Sequence, residues 1–144
     1  MSKDYNPAMH TAEHILNQTM IRMFNCGRSV NAHIEKKKSR IDYSFHRDVT
    51  AEETAEIERR VNEVFKADFE VTEKFITRSD AEKQFNLNNL PDDTGNQIRI
   101  IRIGNYDACP CSGLHVSCTH GIGEFRIIST SYAEGILRMR FKLS

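Results

Sequence analysis

The sequence lacks an excess of either charge, since 20 lysine and arginine residues are matched by 20 aspartate and glutamate residues. Nothing global marks the chain as a polyanion binder, so any contact with nucleic acid must be local. Also missing is an apolar run of the ~18 residues that a membrane-spanning helix needs. The opening segment MSKDYNPAMH has no apolar core of a secretory signal. These absences predict a soluble, cytoplasmic protein with no membrane partner.

Internal repeats and low-complexity linkers are absent as well. The 144 residues, with 39% hydrophobic content, suit one moderate core. We therefore expect a single domain over residues 1–144. The four cysteines are Cys26, Cys109, Cys111 and Cys118. In a reducing compartment they are expected to be thiols or metal ligands and not a disulfide framework.

Two main helices are predicted from capping residues and apolar periodicity. Asn6 followed by Pro7 is typical of a helix start, and Gly27 supplies a stop after a stretch of helical periodicity. Thr50 with Glu53 forms a capping-box signature ahead of a second amphipathic segment. The sequence thus places one helix near the start of the chain and another in its first half.

Strands are predicted where apolar and polar residues alternate. They fall near residues 29–35, 40–46, 69–77, 97–103, 124–132 and 136–143. A short helix is predicted after a capping signature at Ser79, and it must end before NNLPDDTG at residues 88–95. This order of elements predicts an α+β fold in which a largely antiparallel sheet packs with two main helices.

Two pairs of metal-binding side chains each span four positions, in HTAEH and in CSGLH. His10 and His14 project from one helix face with Cβ atoms ~5–6 Å apart, so their imidazoles can share one ion. Cys111 and His115 flank a turn that can aim a thiolate and an imidazole at one point. Three histidines and one cysteine suit Zn²⁺. The alternative is that these are hydrogen-bonded structural histidines and a buried thiol.

Other side chains compete for a place in this set. Cys109 lies two residues before Cys111, and Cys118 and His120 lie just downstream. Each also has a simpler interpretation, either as a thiol acting as a small hydrophobe or as a solvated loop histidine. Spacing alone therefore leaves the membership of the metal site open.

The motifs resemble the editing domain shared by alanyl- and threonyl-tRNA synthetases. HTAEHILN resembles its first motif, and CSGLHV followed by THGIGEFRI resembles its second, usually written CGGTHV and then TGEIG and F-K-I. Between them, SRIDYSF is similar to the family's RFDF segment, and IERRVN is similar to its I-E-x-x-V-N helix. The resemblance covers nearly the whole chain. With no synthetase core and no extra N-terminal barrel, the chain is most similar to the smallest free-standing alanyl-tRNA editing proteins, the AlaX type.

This resemblance implies a deacylase that hydrolyses mischarged tRNA in trans, with Ser-tRNA(Ala) or Gly-tRNA(Ala) as substrate. In the family the HxxxH and CxxxH residues bind zinc. They correspond here to His10, His14, Cys111 and His115. The resemblance identifies no catalytic proton carrier.

The resemblance also implies substrate contacts at Thr11, Gly113 and Cys118. Thr11 occupies the position of a hydroxyl residue that helps to recognise the mischarged serine. Cys118 stands where the family commonly has asparagine, while Ser112 and Leu114 replace glycine and threonine of CGGTH. Because these departures fall at the site, a different substrate such as Ser-tRNA(Thr) is an alternative.

Two further alternatives concern the metal. The domain could be a non-catalytic module in which zinc stabilises a tRNA- or protein-binding fold, because zinc binding alone contributes ~10 kcal/mol to folding. It could also be a metal-free editing domain like that of threonyl-tRNA synthetases. The basic cluster at residues 36–40 and the basic face of the last strand are either contacts for the tRNA acceptor end or ordinary surface.

Overall fold

The computed structural model describes residues 6–87 and 95–144. The elements are α1 (Pro7–Phe24), β1 (Asn31–His33), β2 (Lys38–Ser44), α2 (Ala51–Lys66), β3 (Val71–Thr77), α3 (Arg78–Gln84), β4 (Gln97–Ile103), β5 (Asp107–Pro110), β6 (Phe125–Ala133) and β7 (Ile136–Leu143). The predicted α+β class, antiparallel pairing and two main helices are confirmed. The predicted interruption by NNLPDDTG lies outside the described residues, except for its last glycine.

Helix α1 begins as predicted but ends earlier. The Asn6 side chain accepts a hydrogen bond from the Met9 backbone at 3.1 Å, and Pro7 occupies the first turn. The helix ends at Phe24 and is capped by Asn25, with φ of 55°, and the predicted stop at Gly27 is not used. Asparagine tolerates this left-handed conformation, and its N–H donates to the carbonyl of Ile21.

Helix α2 has the predicted capping box. Thr50 Oγ1 accepts the backbone N–H of Glu53 at 3.0 Å, and the Glu53 carboxylate accepts the backbone N–H of Thr50 at 2.8 Å. The cap of α3 is Thr77 and not the predicted Ser79, because the Thr77 hydroxyl accepts the N–H of Asp80 at 3.1 Å. The short helix therefore starts earlier than its sequence signature indicated.

The strands form two antiparallel sheets in place of the single predicted sheet. One has the order β1-β2-β7-β6, and the other has the order β3-β4-β5. The hairpin between β6 and β7 turns through Glu134 and Gly135, which have φ of 51° and 83°. Positive φ at both positions is the geometry of a tight two-residue hairpin turn. Strand β5 was not predicted, because four residues with a buried aspartate show no apolar alternation.

The main core lies between α1, α2 and the inner face of the four-stranded sheet. Its largest fully buried side chains include Tyr43, Phe125 and Phe141. A smaller apolar cluster under α3 contains Ala81, Ile98 and Ile100. Helix α1 contacts both α2 and β5, so its N-terminal half meets the loop that follows β5. Within the described segments, no helix combines the length and the apolar composition required to cross a membrane.

Candidate metal centre

The two sequence pairs meet at the N-terminal half of α1. One nitrogen or sulfur atom from each of His10, His14, Cys111 and His115 lies within 4.8 Å of the other three. Cys111 Sγ is 3.5 Å from Nε2 of His10 and 3.5 Å from Nε2 of His115. Tetrahedral zinc bonds to nitrogen and sulfur imply about 3.6 Å between those two donor atoms. The donor set and its spacing therefore fit a zinc ion.

Each imidazole of the cluster is held through its Nδ1 atom. The Nδ1 contacts are Leu114 O at 3.1 Å for His10, Cys109 Sγ at 3.2 Å for His14 and Thr11 Oγ1 at 2.9 Å for His115. A ligating histidine typically uses its second nitrogen in this way, which fixes the ring orientation and the tautomer. The Nε2 atoms of His10 and His115 each lie 3.5 Å from Cys111 Sγ, so they are placed to bind an ion together with that sulfur.

Thr11 lies behind the cluster. Its fully buried hydroxyl donates to the carbonyl of Pro7 at 2.9 Å and accepts the N–H of Val116 at 3.3 Å. With Nδ1–H of His115 as a second donor, this hydroxyl makes all the hydrogen bonds that it can. Thr11 is not among the residues lining the adjacent cavity. Its observed contacts orient His115, and its role in serine recognition stays a prediction.

Asp107 supports His14 from the other side, a feature that sequence reasoning missed. Its carboxylate lies 3.7 Å from His14 Nδ1 and receives two hydrogen bonds from Arg28, at 2.9 and 3.1 Å. Gln18 donates a third bond at 2.9 Å. His14, Asp107 and Cys109 also form a second group with metal-binding geometry. No local pattern signals this arrangement, because Arg28 and Asp107 are 79 positions apart.

The loop after β5 approaches α1 closely at Gly113. A Cβ atom added there would overlap the ring of His10, so a glycine is required for the observed approach. Arg99 holds the same loop, with one terminal nitrogen donating to the carbonyls of Cys111 at 3.0 Å and Gly113 at 2.7 Å. These contacts fix the distance between the loop and the helix.

Burial sets the protonation of the cluster. Burial lowers the pKa of His10, and it lowers the pKa of His14 far below its usual value. It also lowers the pKa of His115 to about 3. Neighbouring imidazoles add to the lowering of the pKa of His14 and His115. Neutral imidazole is the form that binds metal. Burial also raises the pKa of the Cys111 thiol. A bound divalent cation would oppose that effect, because it favours the thiolate.

A cavity of about 360 Å³ opens beside the cluster. Its lining residues are His10, Glu13, His14, Asn17, Arg28, Ser29, Val30, Asn31, Ala32, Ile34, Asn86, Cys109, Pro110, Cys111, Ser112 and Gly113. Three of the four candidate ligands thus face it, together with the predicted substrate residue Gly113. His115 stacks on His10, with ring centroids 4.3 Å apart. Burial raises the pKa of Glu13 to about 7, partly offset by nearby Arg28.

The remaining candidates lie apart from the cluster. Cys118 forms an isolated bridge with Glu70 and is not among the lining residues, so its predicted substrate contact stays a prediction. Neither Cys118 nor His120 belongs to a potential metal group found in residues 6–87 and 95–144. Of the two other departures from the family motif, Ser112 lines the cavity and Leu114 is 66% exposed.

Comparison with known proteins extends the resemblance seen in the motifs. The chain is 32% identical over 145 residues to the alanine–tRNA ligase of Neisseria gonorrhoeae, an alignment that covers 95% of this chain and 16% of the ligase. The ligase of Methanopyrus kandleri is 30% identical over 138 residues, covering 92% and 15%. That of Pseudoalteromonas translucida is 31% identical over 133 residues, covering 90% and 15%.

These alignments cover at least nine-tenths of the chain but only a small part of each ligase. The chain spans about one sixth of the length of these curated relatives. Residues 98–140, which contain Cys111 and His115, match the family profile described as the threonyl and alanyl tRNA synthetase second additional domain. The chain therefore belongs to the threonyl and alanyl tRNA synthetase second additional domain family.

Proposed function

We propose that this chain is an aminoacyl-tRNA deacylase that removes serine or glycine from mischarged tRNA(Ala), acting in trans in the cytoplasm. The single observation that carries the proposal is the convergence of His10, His14, Cys111 and His115 beside a cavity. The relation to alanine–tRNA ligases supports an aminoacylated tRNA as substrate. We further propose that these four side chains hold zinc.

The need for such an enzyme follows from the limits of binding selectivity. A pocket discriminates between side chains that differ by one small group by only ~1–3 kcal/mol, and a site for alanine cannot exclude glycine by size. A second site that hydrolyses the wrong ester corrects the error. A cavity of about 360 Å³ has room for a small amino acid together with the end of the tRNA.

The protein's own contribution to the reaction is to fix positions. Zinc, when bound, would supply a Lewis acid for the ester carbonyl. The chain orients the candidate ligands through Leu114, Cys109 and Thr11, while Arg99 and Gly113 hold the loop against α1. Because an aminoacyl ester is already labile, orientation and modest polarisation are sufficient to accelerate its hydrolysis.

A basic strip on the four-stranded sheet supports the tRNA contact. Lys38 pairs directly with Lys142, and Arg40 pairs with Arg140, across β2 and β7. Like charges opposite one another destabilise a sheet, so the strip is expected to serve a ligand of opposite charge. Within residues 6–87 and 95–144, the buried Nε atom of Arg40 has no hydrogen-bond partner. Phosphate groups of the acceptor end would neutralise these charges.

Deacylation of a panel of mischarged tRNAs, with and without chelator, tests the proposal. We expect Ser-tRNA(Ala) and Gly-tRNA(Ala) to be hydrolysed faster than the buffer rate by zinc-loaded protein, and the rate to fall when zinc is removed. Preferential cleavage of Ser-tRNA(Thr) would show that this ester, and not Ser-tRNA(Ala) or Gly-tRNA(Ala), is the substrate. Activity that survives with no metal present would show that the protein is a metal-free editing enzyme and not a zinc enzyme. No cleavage of any ester by zinc-loaded protein would contradict the proposal.

The variant Cys111→Ser separates a catalytic ion from a structural one. If the ion takes part in catalysis, the variant loses turnover and keeps its thermal unfolding transition. If zinc only crosslinks α1 to the loop after β5, loss of the metal unfolds the variant. The second result would favour a non-catalytic binding module.

A further inference from the structure

Glu13 is a largely buried acid that lies outside the metal centre. Its side chain lines the cavity and is only 14% exposed, and it precedes the candidate ligand His14 by one position. No hydrogen bond to its carboxylate is present among residues 6–87 and 95–144. Within those residues Oε1 lies 3.6 Å from His10 Nε2, a contact that is an ion pair only when His10 is protonated. Glu13 also lies outside both groups of side chains with metal-binding geometry.

The charged neighbour of Glu13 in the cavity wall is already engaged. Arg28 directs both terminal guanidinium nitrogens to Asp107, at 2.9 and 3.1 Å. The Glu13 oxygens are not among the fully buried, unpartnered polar atoms of residues 6–87 and 95–144, so they are open to the cavity. A carboxylate in such a poorly solvated place is stabilised by a cation. The position is therefore suited to a cation that enters the cavity from outside.

The geometry favours a cation carried by the substrate. An α-amino ester has its nitrogen and its carbonyl on the same carbon, so the two groups must bind at neighbouring places. Glu13 Oε1 lies only 3.6 Å from Nε2 of the candidate ligand His10, so the two binding places are close enough for the two groups of one ester. A carbonyl placed at the cluster would consequently bring the α-nitrogen within reach of Glu13. At neutral pH an α-amino group, with a pKa of ~7.7–8.0, is mostly an ammonium ion.

We propose that Glu13 binds the α-ammonium group of the aminoacyl ester and so selects aminoacyl over other acyl groups. This inference rests on the proposed function, because it names the substrate group that the same cavity recognises. The contact is a charge-assisted hydrogen bond, which is stronger than a neutral one. Glu13 is thus assigned as a substrate-binding residue.

Hydrolysis of two isosteric esters tests this assignment. Wild-type protein, Glu13→Gln and the matched control Glu82→Gln, an exposed glutamate of α3, are assayed with Ser-tRNA(Ala) and with its 2-hydroxy analogue, in which a hydroxyl replaces the ammonium. After division by the ratio of the two buffer hydrolysis rates, we expect wild type and Glu82→Gln to prefer the ammonium ester by about 10- to 100-fold in kcat/KM, as a charge-assisted bond provides. In Glu13→Gln this preference should fall to less than threefold, with zinc content and thermal unfolding unchanged.

A binding measurement keeps the outcome separate from catalysis. The Kd of 3′-serylamido-3′-deoxyadenosine, which has a non-hydrolysable amide, is compared with that of its 2-hydroxy counterpart by calorimetry. If wild-type protein cleaves neither ester but shows the binding preference, and Glu13→Gln loses it, the deacylase proposal fails and the assignment of Glu13 stands. If Glu13→Gln keeps the wild-type preference in both assays, the assignment is wrong. Loss of zinc from Glu13→Gln with the preference intact would show that Glu13 serves the ion, and would also overturn the assignment.

Discussion

Helices α1 and α2 are similar in length, but α1 buries polar as well as apolar side chains and α2 buries apolar ones alone. Ten of the 18 residues of α1 are buried, and five of these are polar, namely His10, Thr11, His14, Asn17 and Thr19. Only four of the 16 residues of α2 are buried, and all four are apolar. Helix α2 thus has the ordinary amphipathic pattern of a surface helix, whereas α1 takes polar groups into the interior.

The hydrogen bonds of the two helices explain the difference. Buried polar side chains of α1 bond to distant segments, as Asn17 does to the backbone of Ser29 and Thr19 does to the Tyr106 hydroxyl. The charged side chains of α2 largely bond to one another within the helix, as Arg59 does to Glu56 and Glu63. A buried polar group is tolerated only when it is bonded. The polar side of α1 therefore builds a site, and α2 contributes stability.

Loss of a candidate ligand from α1 should have the largest effect. His14→Ala removes a buried imidazole from the cluster, so we expect zinc affinity to fall by more than the ~10- to 100-fold typical of a supporting residue, and deacylation to be lost. Competition with a chromogenic chelator measures the affinity. Wild-type zinc affinity in this variant would mean that His14 is not a ligand.

A supporting residue should have the next largest effect. Asp107→Asn weakens the carboxylate contact with His14 and Arg28, so zinc affinity is expected to fall by about 10- to 100-fold while the ion can still bind. The same competition assay applies, with circular dichroism to verify the fold. An unchanged affinity would show that Asp107 only neutralises Arg28.

Acid should destabilise the metal-free protein through the α1 cluster. Burial lowers the pKa of three imidazoles below the usual value of 6.5, so below that pH the unfolded chain binds protons that the native chain does not. Glu13 acts in the opposite direction between pH 4.5 and about 7, because its raised pKa keeps a proton on the native state. The three imidazoles outnumber the single carboxyl group, so the free energy of unfolding should fall as the pH drops. The fall is about 1.4 kcal/mol per pH unit for each proton that the unfolded chain binds in excess of the native chain.

Urea denaturation of chelator-treated protein at pH 7 and pH 5 measures this change. Replacing His14 with alanine removes one of the three opposing groups, so the pH dependence of that variant should be shallower than that of wild type. Equal stability at both pH values in wild-type protein would show that the imidazoles are protonated in the native state, contrary to the structure.

A charge change on α2 should have the smallest effect. Arg59 is more than half exposed, and its ion pairs with Glu56 and Glu63 are of the surface type, which contributes little to stability because solvent screens the charges. Arg59→Gln is therefore expected to leave the midpoint of urea unfolding almost unchanged. Zinc affinity and deacylation should match wild type. A loss of zinc in this variant would show that α2 also supports the metal centre, contrary to the difference drawn between the two helices.

Local patterns predicted much of the fold. The capping box at Thr50, the start of α1 at Pro7 and the bounds of β4 at residues 97–103 match the structure, because each is set by neighbouring residues. The division into two sheets was missed, since alternation assigns the faces of a strand but not its partner. Strand β5 was missed because it is short and begins with the buried Asp107.

The candidate site was likewise predicted only in part. The four-residue spacing in HTAEH and CSGLH identified the side chains that meet, because such spacing places donor atoms on one helix face or around one turn. The residues that hold them in place could not be found, since Arg28 with Asp107 and Arg99 with Gly113 are pairs distant in sequence without a shared motif. Glu13 was overlooked although it lies inside the first motif, because only the cavity makes its burial evident.

X-ray absorption at the zinc edge of the loaded protein tests the metal centre most directly. The convergence of three imidazoles and the Cys111 thiol predicts one sulfur at about 2.3 Å and nitrogen atoms at about 2.0–2.1 Å from zinc. In Cys111→Ser the sulfur contribution should disappear. Two sulfur atoms around the ion, or a sulfur that persists in Cys111→Ser, would place the metal at Cys109 and contradict the proposed centre.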